Sequence, residues 1–326
     1  MIKPPLLDFL PENIFDIHVH VFDDATARLG PKDFRRKFNG RFAAADYFEL
    51  VNRHLPGHRC SINTFGMPER DADCAAADRF TGQGVDLERV FGFALVRPEE
   101  PPTELEARMR QNRLVGLKPY PDLVPGKTPA DVELADLLAP GQLALADRHG
   151  WPVMLHLPRR LRLTDPLNQS QLENWLKSYP NVKFIVAHLG RSYFFKGIEG
   201  QLARFAIYDN LFFDTAMINH DRVLEYAFRN FPRARLLFGS DAPIAFLYGK
   251  ALEINDQYLY LMAEDYAIGT CLDGRGAPVE FTTFFAEQLA ACRTAALAAK
   301  LTDAEIENFF YHNSNRLIRE AAQWLR

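Results

Sequence analysis

Eight short apolar runs, alternating with stretches of helical pattern, constrain this chain more than any other feature. They occupy residues 14–21, 60–65, 90–96, 115–119, 152–157, 182–189, 211–215 and 235–241. Most are near-continuous in apolar residues. A strand with one wet face alternates apolar and polar side chains; a parallel strand covered by helices on both faces does not. Residues 104–112 follow the third run with a helical pattern. Residues 131–149 follow the fourth, interrupted near Pro140 and closed by Gly150, a residue suited to a left-handed cap. Residues 221–230 precede the last run. Two capping boxes, Ser170 with Glu173 and Thr302 with Glu305, are expected to open helices, the second of which is expected to break near Asn313. Eight strands alternating with helices predict a (β/α)8 TIM barrel. An open doubly wound sheet is the alternative, but no G-x-G-x-x-G follows the first run.

The chain has 326 residues, whereas a barrel needs about 250. Most of the excess falls in residues 23–57 and 245–281, so the barrel is expected to be distorted, with long loops after strands 1 and 8. No linker or composition shift separates two halves, so residues 1–326 are expected to form a single domain. Many of the 26 phenylalanines fall in or beside those loops, among them Phe22, Phe34, Phe38, Phe42, Phe48, Phe246, Phe281, Phe284 and Phe285. They are read as an apolar lid or as a subunit contact in a homo-oligomer.

The formal net charge is −4, which supplies no basic excess to neutralise phosphates, so nucleic acid is not an expected partner. No run approaches the ~20 apolar residues of a membrane span. The N-terminus lacks the basic start, apolar run and small-residue cleavage site of a secretory signal. The four cysteines (Cys60, Cys74, Cys271 and Cys292) form no C-x-x-C pair. Such sparse thiols suit a reducing, cytoplasmic location.

The polar exceptions to the apolar pattern gather at the ends of the runs. His18 and His20 lie two apart in Ile14-Phe-Asp-Ile-His-Val-His20, a spacing that places both imidazoles on one side of a strand. His156 ends the fifth run, His188 the sixth and Asp241 the eighth. A single histidine at the edge of an apolar run is more often a hydrogen-bonded core residue than a ligand. Five polar groups converging on the mouth of one barrel would cost several kcal/mol in desolvation without a shared partner. A divalent metal is the simplest such partner. Imidazole nitrogen and carboxylate oxygen suit Zn2+ first, with Mn2+, Fe2+ or Co2+ as alternatives.

The set H-x-H, H-x-P, A-H-L-G and G-S-D-x-P, in this order and on these strands, resembles the amidohydrolase superfamily. More narrowly it resembles the amidohydrolase-related branch that contains aminocarboxymuconate semialdehyde decarboxylase-like proteins. The resemblance runs from Asp16 to the segment of Asn313 and Asn315. It implies that His18, His20 and His156 ligate one divalent metal, with Asp241 as the fourth ligand or close to it. It implies that Asp241 takes a proton from water and returns it to the leaving group. It also implies that His188 polarises the substrate carbonyl or orients the water. Lys118 ends the fourth run, where some superfamily members carry a carboxylated lysine bridging two metals. The branch resembled here usually holds one metal, so one is expected, with Lys118 meeting a substrate carboxylate or a neighbouring acid instead.

Arg191 and Arg159 follow two of the strand-end histidines closely enough to fork onto a substrate carboxylate. Arg160 is better explained as a solvated loop charge. Tyr120, Phe22 and Tyr193 are candidates to wall a pocket or simply to pack. Asp214 is a candidate to orient His188 or a ligand, or to cap. The expected function is metal-dependent hydrolysis of a lactone or other ester-like or amide-like bond in a small carboxylate-bearing molecule. Non-oxidative decarboxylation at the same site is the alternative, and a binding-only barrel is the third reading.

Overall fold

The structure, a computed structural model, describes residues 2, 4–23, 29–263, 270–271 and 281–326. Residues 24–28, 264–269 and 272–280, parts of both predicted long loops, lie outside the described residues, as does the side chain of Cys271.

All eight apolar runs form strands: β1 Asn13–His20, β2 Arg59–Phe65, β3 Val90–Val96, β4 Gly116–Pro119, β5 Pro152–Leu155, β6 Lys183–Val186, β7 Leu211–Asp214 and β8 Leu236–Leu237. They pair in parallel in sequence order, each beside the next. Backbone bonds join the first strand to the segment that begins with the last. Ile17 N–H donates to Phe238 O (3.1 Å), Asp241 N–H to His18 O (2.9 Å) and His20 N–H to Ala242 O (2.7 Å). Helices follow most of the strands, and the whole is a (β/α)8 barrel.

Two large apolar clusters and a small third one around Leu95 and Leu123 form its core. One gathers Phe15, Ile17, Phe65, Phe91, Phe93, Val115, Met154, Ile185 and Leu237 with Leu317 and Ile318 of the helix Asn313–Ala321. These strand side chains fill the barrel, with the C-terminal helix against them. The larger cluster lies between the strands and the surrounding helices. With its interior packed, the barrel has room for chemistry only at its mouth.

The helix boundaries differ in part from expectation. The box at Thr302 is present: Glu305 N–H donates to the Thr302 hydroxyl and Thr302 N–H to the Glu305 carboxylate. The helix it opens passes through a π turn at Asn308–His312 before Asn313. The box at Ser170 does not form. Its helix starts five residues earlier, capped by Asp165 and not Ser170, because Asp165 accepts from Leu167 and Asn168 N–H and proline pre-sets the first turn. Ser170 lies inside that helix and bonds back to Leu167 O. The phenylalanines read as a lid or subunit contact are mostly core: Phe22, Phe34, Phe42, Phe246, Phe284 and Phe285 are all buried within the one chain.

After β8 the chain forms an antiparallel hairpin, β9 Gly249–Ile254 and β10 Gln257–Met262, with Thr270–Cys271 beside β10. Asn255 and Asp256 turn it with φ of 51° and 59°, the double left-handed conformation of a tight hairpin turn, which Asn and Asp tolerate.

Candidate metal centre

A register shift in β1 between Asp16 and Val19 sets up the centre. Phe15 and Ile17 belong to the cluster inside the barrel, whereas Ile14 and Val19 belong to the outer one. The alternation therefore slips by one residue, and His18 and His20 reach the mouth. Bulges re-aim side chains in this way beside functional sites. Asp16 is left on the opposite side. There it accepts from Tyr47 Oη (2.9 Å), Ser240 N–H (2.8 Å) and the Ser240 hydroxyl, tying β1 to the segment that carries Asp241.

His156, His188 and Asp241 stand just beyond the last paired residues of β5, β6 and β8. His188 and Asp241 take left-handed backbone there, φ 56° and 70°. That conformation costs a non-glycine residue of order 1 kcal/mol and clusters at functional sites.

The imidazoles are individually oriented. His18 Nδ1 lies 2.9 Å from Asp214 Oδ2, His20 Nδ1 3.1 Å from Gly66 O, and His188 Nδ1 3.0 Å from Ala216 O. Each acceptor favours the proton on Nδ1 and leaves the Nε2 lone pair free, the arrangement in which histidine binds metals. Asp241 Oδ1 sits 3.4 Å from His18 Nε2 and 3.2 Å from His20 Nε2. The ligand atoms of His18, His20 and Asp241 all lie within 4.8 Å of one another, as do those of His18, His188 and Asp214. His156 belongs to neither group. Its ring lies 5.4 Å from that of His188, its Nε2 is 3.3 Å from Tyr120 Oη, and its buried Nδ1 has no partner among the described residues.

The charges fit a cation. Burial pushes the His188 imidazolium down to about 4, aided by His18 and Lys118 and opposed by Asp241 and Asp214. Burial and the Lys118 charge lower His18, with Asp214 and Asp241 opposing. Burial lowers His156 well below its usual range, and Arg191 adds to it. Burial works against ionisation of Asp241, but the facing His18, its bond with His20 and His188 hold it far below the carboxylate range. Neutral imidazoles beside an ionised carboxylate are the donor set a divalent ion requires.

A cavity of ≈ 470 Å³ opens over this cluster, lined by His18, His20, His156, His188, Asp241, Tyr120 and Tyr193, with Met67–Asp71, Asp122 and Ile244 completing the wall. Lys118 lies beneath it, fully buried, with Nζ 3.4 Å from His18 Nε2 and 4.4 Å from the Phe65 ring centre. Burial, opposed by Asp214 and Asp241, brings its ammonium down to about 8. Arg191 donates Nη1 to Leu157 O (3.1 Å), and its buried Nε has no partner among the described residues. Arg159 turns away to Asp165 (3.0 Å), and His54 and His58 bond to backbone carbonyls. Sequence reasoning missed the loop after β2, whose Glu69, Arg70 and Asp71 line the cavity, because it carries no motif. It also missed Asp122, one residue past the Tyr120-Pro turn. Asp214 orients His18 through its side chain and accepts from His188 N–H (2.8 Å).

A parallel barrel with oriented imidazoles and a carboxylate at its strand ends defines a class: (β/α)8 proteins built around a candidate metal centre at the mouth. This chain belongs to the amidohydrolase family, whose description matches residues 15–319. That family contains metal-dependent hydrolases and decarboxylases. The fold is similar to that of 5-carboxyvanillate decarboxylase from Sphingomonas paucimobilis (TM-score 0.59, 12% identity, 95% of this chain and 99% of the other). It is similar to a protein assigned as 2-pyrone-4,6-dicarboxylic acid hydrolase from Pseudomonas putida (0.55, 15%, 95% and 98%). It is also similar to 5-carboxyvanillate decarboxylase from Novosphingobium aromaticivorans, whose structure holds manganese (0.54, 10%, 95% and 97%). No curated protein matches the chain by sequence. Among the described residues, no helix is long and apolar enough to cross a membrane.

Proposed function

We propose that this chain is a metal-dependent hydrolase that opens an ester-like bond, such as a lactone, in a small carboxylate-bearing molecule. The observation that carries the reading is the convergence of His18 Nε2 and His20 Nε2 on one oxygen of an ionised Asp241. These three residues would hold one divalent ion, zinc or manganese, with His156 joining from β5. When bound, such an ion supplies the Lewis acidity that makes water a nucleophile near neutral pH.

The remaining work falls to the chain's own side chains. Asp241 keeps a second oxygen to accept the proton of the attacking water and return it to the leaving oxygen. His188, neutral and fixed through Nδ1, presents Nε2 to orient water or the substrate carbonyl. Arg191, anchored through Nη1 to Leu157 O, would bring positive charge to a substrate carboxylate, and Tyr120 places a hydroxyl beside His156. Lys118 adds positive charge from beneath. Arg159, held by Asp165, has no part in this reading. The free thiols Cys60, Cys74 and Cys292 fit a reducing compartment such as the cytosol.

Decarboxylation is the second reading, supported by the likeness to two 5-carboxyvanillate decarboxylases. There Asp241 or His188 would deliver a proton to the carbon that loses CO2. Protein loaded with Zn2+ or Mn2+ should be assayed on 2-pyrone-4,6-dicarboxylate, followed by loss of pyrone absorbance, and on 5-carboxyvanillate, followed by CO2 release. Lactone opening that disappears in His18→Ala and Asp241→Asn is expected. CO2 release alone would favour the second reading. No metal uptake and no turnover would leave a binding-only barrel.

A further inference from the structure

The β9–β10 hairpin meets the centre through one residue. Tyr193 lines the cavity, is 7% exposed, and has its ring 5.8 Å from that of His188. Two of its other aromatic neighbours come from β10: Tyr258, with ring centres 4.6 Å apart, and Tyr260 at 6.0 Å. Arg162, in the loop after β5, donates Nη2 to Tyr258 Oη (2.8 Å) and Nη1 to Arg191 O (3.2 Å). Its guanidinium lies 4.8 Å from the Tyr258 ring centre and 5.8 Å from that of Tyr193. One cation therefore fastens the hairpin, the cavity wall and the backbone of Arg191 together.

The hairpin is also anchored at a second place. Glu253 of β9 pairs with His220 Nε2 (2.8 Å) and accepts from Phe195 N–H (2.8 Å). A two-stranded hairpin has little stability alone, so these attachments fix where it sits. Contact of the half-buried Arg162 with two rings adds stacking and cation–π attraction to the hydrogen bonds. The phenol of Tyr193 thus has a defined place because a segment distant in sequence defines it.

We propose that Tyr258 and Arg162 are positioning residues that set substrate specificity by holding Tyr193 as a wall of the cavity. This rests on the reading of the cavity as the substrate site. Neither residue touches the reacting atoms, so their effect belongs in substrate binding and not in the chemical step.

The test compares Tyr258→Ala, Tyr258→Phe and Arg162→Met in metal-loaded protein, with metal content and Tm measured alongside. On whichever test substrate the parent turns over, Tyr258→Ala should raise KM about tenfold, with kcat within about twofold. Tyr258→Phe keeps the ring and should recover most of that loss, and Arg162→Met should fall between. Crystal structures should show the Tyr193 ring displaced in Tyr258→Ala and held in Tyr258→Phe. An unmoved Tyr193 in Tyr258→Ala, or a fall in kcat that follows lost metal, overturns the proposal. If the parent turns over neither substrate, the hydrolase reading fails, and the position of Tyr193 still decides whether the hairpin holds it.

Discussion

Replacing Asp214 by Asn tests the tautomer argument on which the centre rests. The Asp214 carboxylate is fully buried and accepts three bonds, from His18 Nδ1 on one oxygen and from His188 and Ala216 N–H on the other. An asparagine keeps one oxygen. Facing it to the two backbone amides preserves two bonds and turns its NH2 toward His18 Nδ1. His18 can then satisfy the NH2 only by accepting it, which moves the imidazole proton to Nε2, the nitrogen that would ligate. Freeing Nε2 for a metal leaves two donors opposed in a dry site, and an unsatisfied buried donor costs about 1–3 kcal/mol. At 1.4 kcal/mol per decade, affinity should fall about 5- to 150-fold, in line with the ~10–100-fold typical of outer-shell partners. Competition for Zn2+ against a chromophoric chelator at pH 7 measures it, with circular dichroism checking the fold. A correctly folded Asp214→Asn protein binding Zn2+ within threefold of the parent would refute the argument.

Two further outcomes follow from the geometry. His188 is held at about 4 by burial, below the ~6.5 of an unfolded chain, so the unfolded state binds more protons between those values. His188 should therefore contribute a loss of about 3 kcal/mol in the metal-free protein as pH drops from 6.5 to 4, while Asp16 and Glu100, raised by burial to about 6 and about 7, act in the opposite direction. The parent should lose urea midpoint more steeply than His188→Gln over that window, and parallel curves would refute the His188 share. Gly239→Ala places a Cβ 2.9 Å from His18 Cβ and 3.2 Å from Ile17 Cγ2. Overpacking there should cost about 1–3 kcal/mol and weaken Zn2+ binding; a variant matching the parent in both urea midpoint and Zn2+ affinity would count against the packing described.

The strands were legible because burial on both faces leaves unbroken apolar runs, and each of the eight runs is a strand. The strand-end histidines and Asp241 were legible as polar interruptions of those runs. The slip in β1 was not, since H-x-H reads the same with or without a bulge, and the register against β2 and the packing of Ile17 and Val19 reveal it. At Ser170 two start signals competed, and Asp165-Pro166 won because proline fits the first turn and Asp165 takes two amides. The hairpin escaped notice although Tyr258-Leu-Tyr260-Leu alternates and Asn255-Asp256 is a turn pair. The place of Glu69 and Asp122 in the cavity depends on tertiary approach, which a single sequence does not encode locally.

The bonds between Asp16 and Ser240 close contacts across 224 residues. His18 and His20 are made before Asp241, which follows all eight strands. Until then the nascent chain carries at most the three candidate histidine ligands, His18, His20 and His156, without the carboxylate. Closure of the seam and completion of the candidate ligand set are one event, so the order of synthesis itself delays any ion binding there until all eight strands exist.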